Sequence, residues 1–391
     1  MTKSIRILFI ALLPVFLTAC STIKESVSDF MAGDEEESGI AKLVKIDHPL
    51  VIKKVWSASV GDGADGYYLK LTPAAGNGLI FAADRDGDVV ALEMETGRRH
   101  WKTDTGKRLS GGPGYGQGLV LVGSRDGEVI ALSDEDGEML WTAEISSEVL
   151  AAPKADLGVV VARTVDGKVY GLDASSGQRL WVYERAVPLL TLRGTSSPQL
   201  ARGLAIIGFD GGILCALDIT DGSLIWERRI SLPTGRTTLD RVVDIDADPI
   251  IMDGVIYVVT YQGRLAVVEL DSGKIGWVRD LSSHAGIGVD DDHVYLTDEE
   301  SALWALDRYT GNSVWKQDQL MGRSLTAPVS IGDYVVIGDF EGYLHWLNRK
   351  DGSLAGRVRL DRSAILATPF VINDILFAYS SDGALAGYKV Q

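Results

Sequence analysis

The feature that most constrains this chain is a set of glycine, tryptophan and proline marks at near-constant spacing. Four segments show the unit: DGDVVALEMETGRRHW (86–101), DGEVIALSDEDGEMLW (126–141), DGKVYGLDASSGQRLW (166–181) and GGILCALDITDGSLIW (211–226). It continues in QGRLAVVELDSGKIGW (262–277) and ESALWALDRYTGNSVW (300–315). It weakens in EGYLHWLNRKDGSLAG (341–356) and stops at Gln391 in DGALAGYKVQ (382–391). The turn residues Gly87, Gly127, Gly167, Gly212, Gly263, Ser301, Gly342 and Gly383 serve as origins. Ten residues on, all seven complete copies carry a second glycine, from Gly97 to Gly352. Fourteen residues on stands a tryptophan in six of them, with Gly356 in the seventh. Fourteen residues before the origin stands a proline in every copy but one, where Ile287 replaces it.

Each copy reads as a four-stranded antiparallel meander. Proline cannot donate to a ladder, so Leu150-Ala151-Ala152-Pro153 reads as an edge or a strand start. A β-branched run follows, such as Val159-Val160-Val161, and Asp166-Gly167 supplies the positive φ of a tight hairpin turn. The third strand, 168–173, turns at Ser176-Gly177 into a fourth that carries Trp181. Successive origins lie 40, 40, 45, 51, 38, 41 and 41 residues apart. Four strands per period of that length predict an all-β fold, an eight-bladed β-propeller of four-stranded antiparallel blades. The tryptophans are placed to fill the wedge between neighbouring blades, each stabilising by roughly 2–3 kcal/mol.

The eighth copy lacks its fourth strand, whereas residues 51–58 have strand composition, contain Trp56 and belong to no copy. This N-terminal strand is expected to complete the last blade and close the ring, which leaves no open seam. A chain of 391 residues would otherwise suggest two or three domains. Here one toroidal domain spans residues 46–391.

Residues 1–20 read MTKSIRILFIALLPVFLTAC, with Lys3 and Arg6 ahead of a short apolar run. That run is too short to span a bilayer and fits a cleaved export signal over residues 1–19. Leu17-Thr18-Ala19-Cys20 resembles a bacterial lipobox, which implies a lipidated Cys20 at the mature N-terminus. Ser21 follows where an Asp would divert sorting, so the resemblance implies the outer membrane, with the protein facing the periplasm. Residues 20–45 include Asp34-Glu35-Glu36-Glu37 and read as lipidated cysteine plus a flexible acidic tether.

The 54 acidic and 38 basic side chains give a net charge of −16, or −18 once Lys3 and Arg6 are removed. Such a chain lacks the concentrated basic charge that nucleic acid requires. With Cys20 given to lipid, Cys215 stands alone in the apolar run Ile213-Leu214-Cys215-Ala216-Leu217, which favours core packing over nucleophilic catalysis. Asp-Gly pairs at equivalent turns are turn chemistry, and no calcium-loop spacing is present. Asp290-Asp291-Asp292-His293 is the densest group of potential ligands and reads either as a solvated hairpin loop or as a metal site. No zinc-type histidine spacing, nucleophile elbow or phosphate loop occurs, so no catalytic, cofactor-binding or metal residue is assigned.

The unit running from Gly171-Leu172-Asp173 through Gly177 to Trp181 resembles the repeat of pyrroloquinoline-quinone dehydrogenases, which are eight-bladed propellers. A periplasmic dehydrogenase-like protein is therefore the alternative reading. Against it, the adjacent cysteine pair and the long pocket-building insertions of that family are missing. Over its whole length the chain resembles the BamB family of propeller lipoproteins in the outer-membrane β-barrel assembly machinery. That resemblance implies a non-enzymatic subunit without cofactor, which docks on the POTRA region of BamA alongside other Bam subunits and helps barrels insert. Unfolded outer-membrane proteins are possible further partners, through strand addition at blade edges.

The spacing points to the same function. The two long intervals place extra chain between blades three and four, around Pro188-Leu189-Leu190-Thr191-Leu192-Arg193-Gly194, and between blades four and five, around 240–248. Adjacent blades bring these loops onto one face, and the family resemblance assigns the BamA contact to them. The expected contact residues are Leu190, Leu192, Arg193, Asp244 and Asp246. In the competing reading the leucines cap the core and Arg193 pairs with Asp244 or Asp246.

Overall fold

The computed structural model describes residues 39–188, 190, 194–233, 236–237 and 241–391. Eight four-stranded antiparallel sheets follow one another around a ring. Within blade three, Lys154–Asp156, Val159–Arg163, Lys168–Asp173 and Arg179–Glu184 are hydrogen-bonded in sequence order from the axis outward. The middle strands are buried on both faces by the flanking blades, which is why Val159–Arg163 reads as an unbroken hydrophobic run ending in one arginine. The outermost strand is exposed except at the buried Trp181 and the half-buried Tyr183.

Blade eight closes as expected. Ile52–Ser59 pairs antiparallel with Ala384–Val390, placing Trp56 opposite Gly387 and Ser59 opposite Ala384. One detail differs from the sequence expectation. The prolines mostly precede the innermost strands instead of lying within them, as Pro153 does before Lys154–Asp156. These strands are three residues long in seven of the eight blades. Little room exists near the axis, and a residue without an N–H marks the point where pairing begins. In blade two the strand Leu109–Gly116 is longer and does contain Pro113.

The tryptophan and the second glycine form one device. Trp56, Trp101, Trp141, Trp181, Trp226, Trp277 and Trp315 each donate Nε1–H to a backbone carbonyl of the next blade at 2.8–3.1 Å. Each indole also lies on that blade's second glycine, from Gly97 to Gly352, where an added Cβ would meet its nearest neighbour at 2.5–2.8 Å. Blade eight has no such glycine, because its outermost strand comes from the N-terminus. The outermost strand of blade seven correspondingly has no tryptophan: at Gly356, Leu50 and Ile52 stand about where a Cβ would point. Cys215 is fully buried in the cluster between blades three and four, and burial pushes its thiol up to about 12, which makes it inert.

Strand direction alternates within each blade, so the connections between blades and the turns between second and third strands share one face. Hydrogen bonds tie the two sets together, as from Thr105 N to Gly87 O (2.9 Å) and from Ile230 N to Gly212 O (2.8 Å). This is the loop face of the ring.

Candidate docking site

Both long connections lie on the loop face, one joining Arg179–Glu184 to Gln199–Ala201 and the other joining Leu224–Arg229 to Ile250–Met252. They meet: a Cβ on Gly194 would stand 2.7 Å from Asp246 Oδ1. Of the five expected contact residues, Leu190 is 40 % exposed. Leu192 and Arg193 lie outside the described residues. Asp244 is buried; its Oδ1 accepts from Gly211 N at 3.0 Å and its carbonyl from Tyr261 N at 2.9 Å. Asp246 points inward, and both carboxylate oxygens are buried with no hydrogen-bond partner among the described residues. The aspartates therefore sit beneath the loops, while Leu190 stands on the surface.

Sequence reasoning missed the charges under this site. Arg163, 1 % exposed, approaches Asp210 Oδ1 at 3.5 Å and keeps Nε and Nη1 without a partner among the described residues. Asp210, Asp244 and Asp246 all act on its guanidinium, whose pKa burial lowers. A signal was present in the repeat. Four residues before the origin stand Ala83, Gly123, Gly208, Val259, Thr297, Gly338 and Tyr379, and only blade three places a charge there. Burial, followed by the negative charge of Asp244, pushes the Asp246 carboxyl up to about 7, while Lys70 pulls the other way.

That shift has a definite sign. In the unfolded chain Asp246 ionises near the ordinary value of about 3.9, but in the fold it holds its proton to a higher pH. Its contribution to stability is complete below about pH 4 and is lost as pH rises toward 7. Asp246→Asn is accordingly expected to raise stability at pH 8 by about 1–3 kcal/mol and to flatten the pH dependence between about pH 4 and 8. Denaturant melts at pH 5 and pH 8 check it; equal stability of the two proteins at pH 8 would contradict the reading.

The axial channel opens beside these loops. Its mouth, a cavity of about 520 Å³, is lined by Tyr68, Lys70, Gly194, Asp246, Tyr261 and His284 among others. Deeper, about 500 Å³ is bounded by small residues together with Lys70, Lys154, Asp246 and Asp248. Lys70 Nζ donates to the His284 carbonyl at 3.2 Å and Lys154 Nζ to Gln199 Oε1 at 2.8 Å. Both ammonium groups are ringed by protein, which lowers their pKa values, although solvent in the channel still reaches Lys70.

Asp290, Asp292 and His293 do converge in blade six. Arg349 occupies their carboxylates, with Nε 3.0 Å from Asp290 Oδ2 and Nη2 2.6 Å from Asp292 Oδ2. Tyr295 donates to the same Asp290 oxygen at 2.9 Å, and the other accepts from the Asp292 and His293 amides. An arginine-bridged hairpin accounts for this group.

A family profile described as "Outer membrane protein assembly factor BamB" matches residues 53–317. The protein of that name from Alkalilimnicola ehrlichii is 54 % identical over 336 residues, covering 86 % of this chain and 88 % of its own. The chain belongs to the BamB family. The crystal structure of BamB from Moraxella catarrhalis superimposes with a TM-score of 0.80 at 31 % identity, over 87 % of this chain and all of that one. A quinohemoprotein alcohol dehydrogenase from Comamonas testosteroni gives a TM-score of 0.67 at 14 % identity, over 90 % of this chain and 78 % of its own. At that identity the likeness is one of fold alone.

Proposed function

We propose that the protein is a non-enzymatic scaffold subunit of the outer-membrane protein assembly machinery. It is held at the inner leaflet of the outer membrane through lipid on Cys20, after removal of residues 1–19, and faces the periplasm. It docks on the POTRA region of BamA, beside other Bam subunits, and so aids folding and insertion of barrel proteins. Family membership supports this, since the relatives are named outer membrane protein assembly factors. The observation that carries the docking reading is the meeting of the two connections that lengthen the repeat, Gly194 against Asp246, on a face where Leu190 is exposed. An exposed apolar side chain on such a pair of loops suits protein docking.

Substitutions in this loop pair separate docking from stability. Leu190→Asp, Leu192→Ala and Arg193→Ala are each expected to reduce BamA co-purification at least tenfold. The melting temperature of the Leu190→Asp chain should stay within about 2 °C, because Leu190 is exposed and surface changes usually cost under about 0.5 kcal/mol. Undiminished co-purification across all three would remove this loop pair from the interface.

A further inference from the structure

Residues 39–50 are bound to the ring at a place unconnected with the docking loops. Near one end, Leu50 N donates to Ala355 O at 2.8 Å, at the start of the outermost strand of blade seven, Leu354–Arg359. Leu43 packs into the cluster between blades six and seven, beside Trp315 and Leu320. Ala41 N donates to Met321 O at 2.9 Å, and Gly39 lies so close that a Cβ on Gly322 would stand 2.5 Å from its carbonyl oxygen. At Gly39 the segment thus lies against the connection from blade six to blade seven, which is on the loop face.

A buried charged chain holds it there. Asp339 and His345 are both fully buried. Arg323 donates Nε–H to Asp339 Oδ2 at 2.8 Å and pairs with Glu341. Arg357 donates Nε–H to His345 Nδ1 at 3.1 Å. An arginine can only donate, so Nδ1 is the acceptor, and His345 is neutral with its proton on Nε2, which donates to Asp339 at 2.9 Å. Each arginine then spends an outward N–H on the segment: Arg323 Nη1 on Ala41 O (3.2 Å) and Arg357 Nη1 on Val44 O (3.3 Å). Buried ionic groups gain little stability for their desolvation, so their retention points to a positional role.

We infer that this clamp fixes where the N-terminal chain leaves the ring, and so makes the loop face the side turned toward the lipid surface. The inference rests on the lipid-anchor reading above. From Cys20 to Gly39 is 39 − 20 = 19 residues, a reach of at most about 65 Å, whereas release back to Leu50 gives 50 − 20 = 30 residues and about 100 Å. A longer free leash loosens orientation far more than local concentration, which falls only about twofold.

The test uses the full lipidated chain on vesicles of phosphatidylethanolamine and phosphatidylglycerol that carry a headgroup quencher. One dye is placed by Asp126→Cys on the loop face, and another by Tyr309→Cys, in a turn on the opposite face. The loop-face dye is expected to be quenched at least twofold more strongly. Leu43→Asp with Gly322→Ala, which leave the arginine chain intact, are expected to abolish that difference. They should also speed hydrogen exchange over residues 40–45 at least tenfold without altering exchange in the blades. Equal or inverted quenching in the unsubstituted ring, or unchanged exchange in the variant, would overturn the inference. A chain that does not float with the vesicles would remove the lipid anchor and with it the membrane-facing part, while the exchange result still decides the clamp.

Discussion

Deleting residues 50–59 is expected to abolish cooperative folding of the whole ring. Ile52–Ser59 is the outermost strand of blade eight, paired along its length with Ala384–Val390. Without it that strand becomes an open edge. The loss extends beyond one ladder, because Trp56 spans the junction with blade one. Its Nε1–H donates to Met94 O at 2.8 Å, its ring contacts Phe377 at 5.7 Å between centroids, and it lies on Gly97. Removing a buried tryptophan alone costs about 3–5 kcal/mol, which is a large part of the roughly 5–15 kcal/mol that holds a typical domain together. Circular dichroism melts should show the cooperative transition lost or lowered by more than about 15 °C. A truncated chain that melts like the intact one would show that the ring does not depend on this closure.

The second large effect lies at the inter-blade lock. Gly222 has φ +72°, and a Cβ there would sit 2.5 Å from Trp181 Cε3. Gly222→Ala therefore carries a clash with a buried ring in addition to backbone strain, and is expected to cost about 3–5 kcal/mol, combining overpacking with left-handed strain. Gly158 is the control: its φ is +78°, yet an added Cβ would meet nothing within 4 Å. Gly158→Ala should cost only the backbone part, about 1–2 kcal/mol. Trp181→Ala should cost about 3–5 kcal/mol, and combined with Gly222→Ala less than the sum, since the clash has then gone. Chemical denaturation measures all four. Equal costs at Gly222 and Gly158 would mean that the glycine serves its turn alone.

The blades were legible because a propeller repeats its physics. The same turn, tryptophan and strand start recur about every 40 residues, so eight blades and the closing strand follow from the spacing. The reason for the second glycine was only half legible. Its turn is local, but the indole that requires it comes from the preceding blade, 41 residues earlier in the case of Gly222 and Trp181. The two long connections were visible as departures from the period, and the structure brings them together. That Asp244 and Asp246 lie below the surface was not visible, because inward or outward direction in an irregular loop follows no period. Arg163 could have been found as the one charge at its register position. The clamp could not, since Arg323 and Arg357 meet residues 41 and 44 across about 300 residues of chain.

The proposed role of the protein is docking within the assembly machinery rather than catalysis. Its most direct test is affinity purification of the full chain from detergent-solubilised outer membranes, followed by identification of the bound proteins by mass spectrometry. BamA is expected among the recovered proteins at near-stoichiometric yield, and is expected to be lost when Leu190→Asp is introduced into an otherwise stable ring. Recovery of the protein without BamA, from membranes in which BamA is abundant, would contradict it.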